Sequence, residues 1–164
     1  MSFLDFAPDP DPKKTRALKF FLLATLAVGA SASLFTEPSI PTWYAGLNHP
    51  AIAPPNYVFA PVWTTLYLIM AVAAWRVWRK TGLKSVEMAA FALQLVLNFA
   101  WSAIFFGLHR IGAALAEILT LDLAVVATIV LFFRRDRWAG VMLLPYLGWI
   151  GFASVLTDAF RRLN

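Results

Sequence analysis

Cysteine is absent from the 164 residues, which excludes a disulfide, a thiolate nucleophile and a soft metal site. Histidine is nearly absent. His49 and His109 fall in different connecting segments, without the close spacing that builds a zinc or di-iron centre, and they read as capping or interfacial groups. No glycine-rich phosphate loop, nucleophile elbow or His-Glu-x-x-His sequence occurs, so the NTPase and hydrolase readings have no support. Charge is scarce too: 14% of residues are charged against 60% hydrophobic, a balance foreign to water-soluble domains.

Long apolar runs take the place of these missing groups. A bilayer core about 30 Å thick is crossed by roughly 20 apolar helical residues. Five such stretches are present, near Ala17–Phe35, Tyr57–Trp75, Val86–Phe106, Ile111–Phe133 and Trp138–Phe160. Pro38, Pro41, Pro50, Pro54 and Pro55 crowd the first connection, and Arg79, Lys80, Gly82 and Lys84 break the second. The runs are apolar on nearly every face, which excludes the alternating strands of a membrane barrel. The expected fold is an all-α integral membrane protein, a bundle of five transmembrane helices over residues 17–164. Residues 1–16 are expected to be a mobile tail, since Met1–Pro12 is rich in Asp and Pro, and an acidic opening does not suit a signal peptide.

The positive charges fall unevenly. Lys13, Lys14, Arg16, Lys19, Arg76, Arg79, Lys80, Lys84, Arg134, Arg135 and Arg137 share one side, leaving Arg110, Arg161 and Arg162 on the other. Positive residues are retained in the cytoplasm, so the N-terminus is expected inside and the C-terminus outside. The net charge of +5 is then a topology signal with attraction to anionic lipid. No basic stripe interleaved with aromatics appears in a soluble segment, so nucleic acid is not an expected partner.

Strongly polar residues inside a spanning helix are costly and usually face a cavity or a partner. Gln94, Asn98, Trp101 and Phe105 recur on one face of helix three. Phe59, Trp63 and Tyr67 form a stripe on helix two, and Tyr146, Trp149 and Ala153 form one on helix five. Helix four adds Glu117, near the end from which it can snorkel. Together these would line an apolar pocket with a few polar anchors, suited to a flat hydrophobic ligand. Helix packing or an interfacial belt gives the same spacing, so spacing alone leaves both readings open. Asp122 lies about 140° around helix four from Glu117, so the two acids do not pair. Asp158 is expected to pair with Arg161 and Arg162.

Longer motifs go further: Trp43-Tyr44, His49-Pro50 and Pro54-Pro55 in the first loop, then Val58-Phe59-Ala60-Pro61-Val62-Trp63-Thr64-Thr65-Leu66-Tyr67. Gln94-Leu95-Val96-Leu97-Asn98-Phe99-Ala100-Trp101-Ser102, Phe105-Phe106-Gly107, Trp138-Ala139-Gly140, Leu144-Pro145-Tyr146-Leu147-Gly148-Trp149 and Phe152-Ala153 follow. In this the chain resembles the translocator proteins, also called tryptophan-rich sensory proteins or peripheral benzodiazepine receptors, in their bacterial form. The resemblance implies a five-helix bundle, commonly a homodimer, with a pocket opening toward the first loop. That pocket binds porphyrins and related tetrapyrroles, benzodiazepine-type ligands and, in some members, sterols.

Carried over by position, Trp63, Trp149, Asn98, Trp101 and Ala153 match pocket residues, Pro54 and Pro55 would shape the lid loop and Glu117 holds a usual acidic position; with Tyr44 and the stripe residues Phe59, Tyr67, Gln94 and Tyr146 they make the expected ligand-binding set, with no metal and no obligatory cofactor. A receptor or sensory function linked to tetrapyrrole metabolism or signalling is the expectation. A light-dependent porphyrin-degrading enzyme using Trp63 and Trp149, or a porphyrin transporter, are the alternatives. Two departures stand out. Ile52 replaces a loop tryptophan usual in the family, and the segment Ala153-Ser154-Val155-Leu156-Thr157-Asp158 lacks the tyrosine of the proposed cholesterol motif, so sterol transport is not expected. Gly29/Ser33, Ala103/Gly107 and Gly112/Ala116 are candidate close-packing pairs.

Overall fold

The computed structural model describes residues 11–164, so most of the expected tail lies outside the described residues. Helix α1 spans Pro12–Ser39, earlier than expected, and takes in Pro12 to Arg16. Asp11 causes the early start. Its carboxylate accepts from Lys13 N at 2.9 Å, and Pro12 contributes a first-turn residue with no N–H to satisfy. Pro38, expected in the connection, lies inside α1; the helix continues because only the bond to the Leu34 carbonyl is forgone, and Ile40 N still donates to Thr36 O.

Two short 3-10 turns, Tyr44–Gly46 and Asn56–Val58, shape the connection to α2, Phe59–Thr81. Helix α3, Val86–Ser102, ends in a π turn, Ala103–Gly107, and is followed by α4, Ile111–Arg135. The last span is made of α5, Arg137–Met142, and α6, Leu144–Leu163. The single helix expected over Trp138–Phe160 is therefore broken at Leu143, because Pro145 has no N–H for the Val141 carbonyl. Five spans are long and apolar enough to cross a membrane, and no strand occurs among the described residues.

Helix α2 buries a continuous stretch of its length. Met70, Ala71, Ala73, Ala74 and Val77 are completely buried, and the alanines let neighbouring backbones approach closely. Leu23, Leu34, Leu93, Val96, Leu123 and Val155 point outward, as a lipid-solvated surface allows. Polar bonds fix the helices to one another: Thr25 Oγ1 donates to Tyr67 O at 3.2 Å, and Trp75 Nε1 to Lys14 O at 2.9 Å.

At the basic end, buried Asp136 caps α5 through Ala139 N and receives Arg76 Nη2 at 3.0 Å and Lys80 Nζ at 2.9 Å. Arg135 pairs with Glu87 at 2.6 Å beside it. Burial alone would raise the Asp136 pKa, but Lys80, the Ala139 N–H and Arg76 together hold it below the ordinary carboxylate value.

Helices α1 and α2 cross at Gly29. A Cβ there would come within 2.5 Å of the Tyr67 ring, which is buried and held at its hydroxyl by Asn98. Gly29→Ala is expected to destabilise the bundle by about 1–3 kcal/mol, the usual range for overpacking. Thermal unfolding in detergent checks this, and Gly148→Ala, where a Cβ meets nothing within 4 Å, is the neutral comparison.

Candidate functional site

A cavity of about 530 Å³ adjoins the Gly29–Tyr67 contact, and both residues line it. Helix α1 contributes Gly29, Ala30, Ser33, Thr36 and Glu37; α2 contributes Phe59, Trp63 and Tyr67. Trp101, Phe105 and Phe106 close it from the end of α3, and Trp149, Ala153, Leu156 and Phe160 from α6. Tyr44, buried, covers the end nearest the first loop. Ala30, Glu37, Asn56, Ala60 and Thr64 are the exposed lining residues, and all lie on α1, at the start of α2 or in the 3-10 turn that leads into it. The mouth is therefore lateral, between these two helices, rather than directly beneath the loop.

Ring contacts make the walls continuous. Trp63 stacks on Tyr67 with centroids 5.6 Å apart, Phe59 meets Trp149 edge-on at 5.9 Å, and Trp101 stacks on Phe105 at 5.3 Å. Tyr44 lies 5.3 Å from Phe160 and 5.7 Å from Phe106. Its phenol pKa is raised by burial, so the roof stays neutral at physiological pH. Beneath the cavity, Tyr67 Oη donates to Asn98 Oδ1 at 2.5 Å, and Asn98 Nδ2 donates to Tyr146 Oη at 3.1 Å. This bridge joins α2, α3 and α6 and seals the floor.

Of the residues expected to form a site, Tyr44, Phe59, Trp63, Tyr67, Trp101, Trp149 and Ala153 line this cavity. Asn98 and Tyr146 lie behind the floor and support it, and neither lines the space. Pro54, Pro55, Gln94 and Glu117 do not line it either. Gln94 is buried with both amide atoms unpartnered among the described residues, and so are both carboxylate oxygens of Glu117, which does not snorkel. Asp122 accepts from Ser154 Oγ at 2.7 Å, an α4–α6 contact. Asp158 pairs with Arg161 at 2.8 Å and Arg162 at 2.7 Å, as its spacing implied.

The α1 wall is what sequence reasoning missed. Gly29, Ser33 and Glu37 recur at spacing four, and the first pair was read only as a packing motif. Ile52 is exposed and does not line this cavity, so cover over it comes from Tyr44. The histidines fasten the loop: His109 stacks on Trp43 at 4.3 Å and lies 3.2 Å from Ser39 Oγ, while His49 Nε2 lies 3.1 Å from Tyr44 O.

Trp101 has an indole N–H with no acceptor among the described residues. That nitrogen is itself fully buried. The hydroxyls of Ser33, Thr36 and Thr64 instead bond back to their own helices, at Ala30, Ala32 and Ala60, and so leave the walls largely apolar. No group of three or more metal-binding side chains occurs among the described residues.

Residues 21–162 match the TspO/MBR family. The chain is 44% identical over 144 residues to the tryptophan-rich protein TspO of Archaeoglobus fulgidus, covering 87% of this chain and 94% of that one. It is 40% identical over 144 residues to the tryptophan-rich sensory protein of Cereibacter sphaeroides, covering 88% and 90%. With the human translocator protein it shares 39% identity over 126 residues, covering 74% and 75%. Five membrane-spanning helices and a match across nearly all of them make this chain a multi-pass membrane protein of the TspO/MBR family.

Proposed function

We propose that the cavity receives a flat, hydrophobic ligand of the porphyrin type, and that the protein is a membrane receptor or sensory protein linked to tetrapyrrole metabolism or signalling. The observation that carries this reading is the cavity itself. Its volume of about 530 Å³ falls within the roughly 300–1,000 Å³ of small-molecule sites, and aromatic rings form much of its wall. Offset and edge-on rings suit a planar π-system. Relatives bearing the name tryptophan-rich sensory protein are consistent with it.

Titration of the detergent-solubilised protein with protoporphyrin, followed by absorbance, tests the reading. One saturable site per chain is expected. Ala153→Leu, which adds volume to the α6 wall, is expected to weaken binding about tenfold by overpacking. Absence of saturable binding would sink the proposal.

A photochemical reading has one observation in its favour. Trp63 stacks on Tyr67, and Asn98 bridges the Tyr67 and Tyr146 hydroxyls, so three oxidisable rings lie in series from the cavity wall. Illumination with product analysis separates the two. Porphyrin loss no faster than in empty micelles rejects turnover.

The basic end, where Arg76, Lys80 and Arg135 lie, is proposed to face the cytoplasm, with the N-terminus inside and the C-terminus outside. A homodimer is proposed through the exposed Gly112 and Ala116 of α4; a Cβ at Gly112 would meet nothing within 4 Å among the described residues. Gly29 and Gly107 are already occupied internally, by Tyr67 and Phe35.

A further inference from the structure

We infer that the cavity discriminates its ligands by charge, with Glu37 as the specificity-determining residue: the ligand end at the mouth is neutral or cationic, and a carboxylate there is penalised. This rests on the reading of the cavity as a tetrapyrrole-type site and narrows it to members with few or masked carboxylates.

Glu37 is the one charged side chain lining the cavity among the described residues, and no Lys, Arg or His lines it. The cations at the same end are engaged or elsewhere. Arg161 and Arg162 are tied to Asp158, and Arg110, which precedes α4, lines no part of the cavity. Neither histidine lines it; His49 bonds the Tyr44 carbonyl and His109 stacks on Trp43. An acidic ligand therefore meets a carboxylate at the mouth and no compensating positive charge. The aromatic faces act in the same direction, since ring quadrupoles attract cations.

The position of Glu37 has no structural explanation. It sits two residues before the end of α1, where the helix dipole disfavours negative charge, and it makes no ion pair or side-chain hydrogen bond among the described residues. A local rule broken without a stabilising contact is typical of a functional position. Its exposure also means that replacing it removes no packing.

The test compares protoporphyrin, a dicarboxylate, with its neutral dimethyl ester on the full chain in detergent. Glu37→Gln is expected to tighten protoporphyrin binding about three- to tenfold, the size of a like-charge contact at a partly solvated mouth. The same substitution should leave the ester unchanged, and Glu37→Lys should tighten the diacid further. The gain should shrink at high salt, because exposed charges are screened. Equal effects on diacid and ester, or no effect on the diacid in either variant, overturn the charge assignment while leaving the tetrapyrrole site standing. If neither compound binds saturably to wild type or variants, the tetrapyrrole reading itself fails, and the charge assignment with it.

Discussion

Replacing Trp63 and Trp149 together by alanine is expected to weaken protoporphyrin binding about a hundredfold or more, since a buried tryptophan anchor is commonly worth 2 kcal/mol or above. The two indoles hold different walls. Trp63 stands on α2 against Tyr67, and Trp149 on α6 against Phe59, so a planar ligand between α2 and α6 loses both faces. Binding is measured by the absorbance shift of the porphyrin, because the substitutions remove part of the fluorescence signal. Circular dichroism should be unchanged, as both side chains are only partly buried and the floor bridge through Asn98 is intact. Trp138→Ala is the comparison. That side chain is exposed beyond the other end of the bundle and lines no part of the cavity, so wild-type affinity is expected. Equal losses in both variants would show that tryptophan content, and not position, governs the signal.

Asp136→Ala is expected to give the largest loss of stability, about 3–5 kcal/mol, the cost of removing one partner from a buried ion pair. The carboxylate is buried, receives Arg76 and Lys80, and caps α5, so its removal takes an anionic partner from buried Arg76 and opens the turn that joins the fourth and fifth spans. Asp136→Asn should lose less, since the amide oxygen can still cap Ala139 N. Asp158→Asn, in an exposed pair at the opposite end, should leave the unfolding temperature nearly unchanged. The pH dependence has a defined sign. The folded pKa of Asp136 is lowered, so its contribution is complete above the unfolded value near about 4 and is lost as pH falls through the folded value. Wild type should lose stability on acidification through that window more steeply than Asp136→Asn. Unfolding in detergent between neutral and acidic pH measures the difference.

The five spans were legible because a run of apolar residues longer than a bilayer core has few other structural solutions. Their ends were less so. Pro12 begins α1 and Pro38 stays within it, while Pro145 breaks the last span, three outcomes decided by which carbonyl lacks a donor and whether a cap replaces it. Within the site, periodicity gave faces correctly but not depth. Gln94 and Trp101 share a face of α3, yet seven residues of helix separate them by about 10 Å along the axis, and only Trp101 reaches the cavity. Tyr146 and Trp149 differ in the same way on α6. The α1 wall carried almost no signal, because Gly29, Ala30 and Ser33 mark a surface by being small. Glu37 was visible as a charge, but its meaning depends on the absence of cations around a mouth that only the folded chain defines.

A structure of the protein with protoporphyrin bound tests the central claim most directly. The macrocycle is predicted to lie between α1, α2 and α6, against Trp63 and Trp149, above the Tyr67–Asn98–Tyr146 bridge. A macrocycle seated on the lipid-facing surface, with these side chains untouched, would contradict the account.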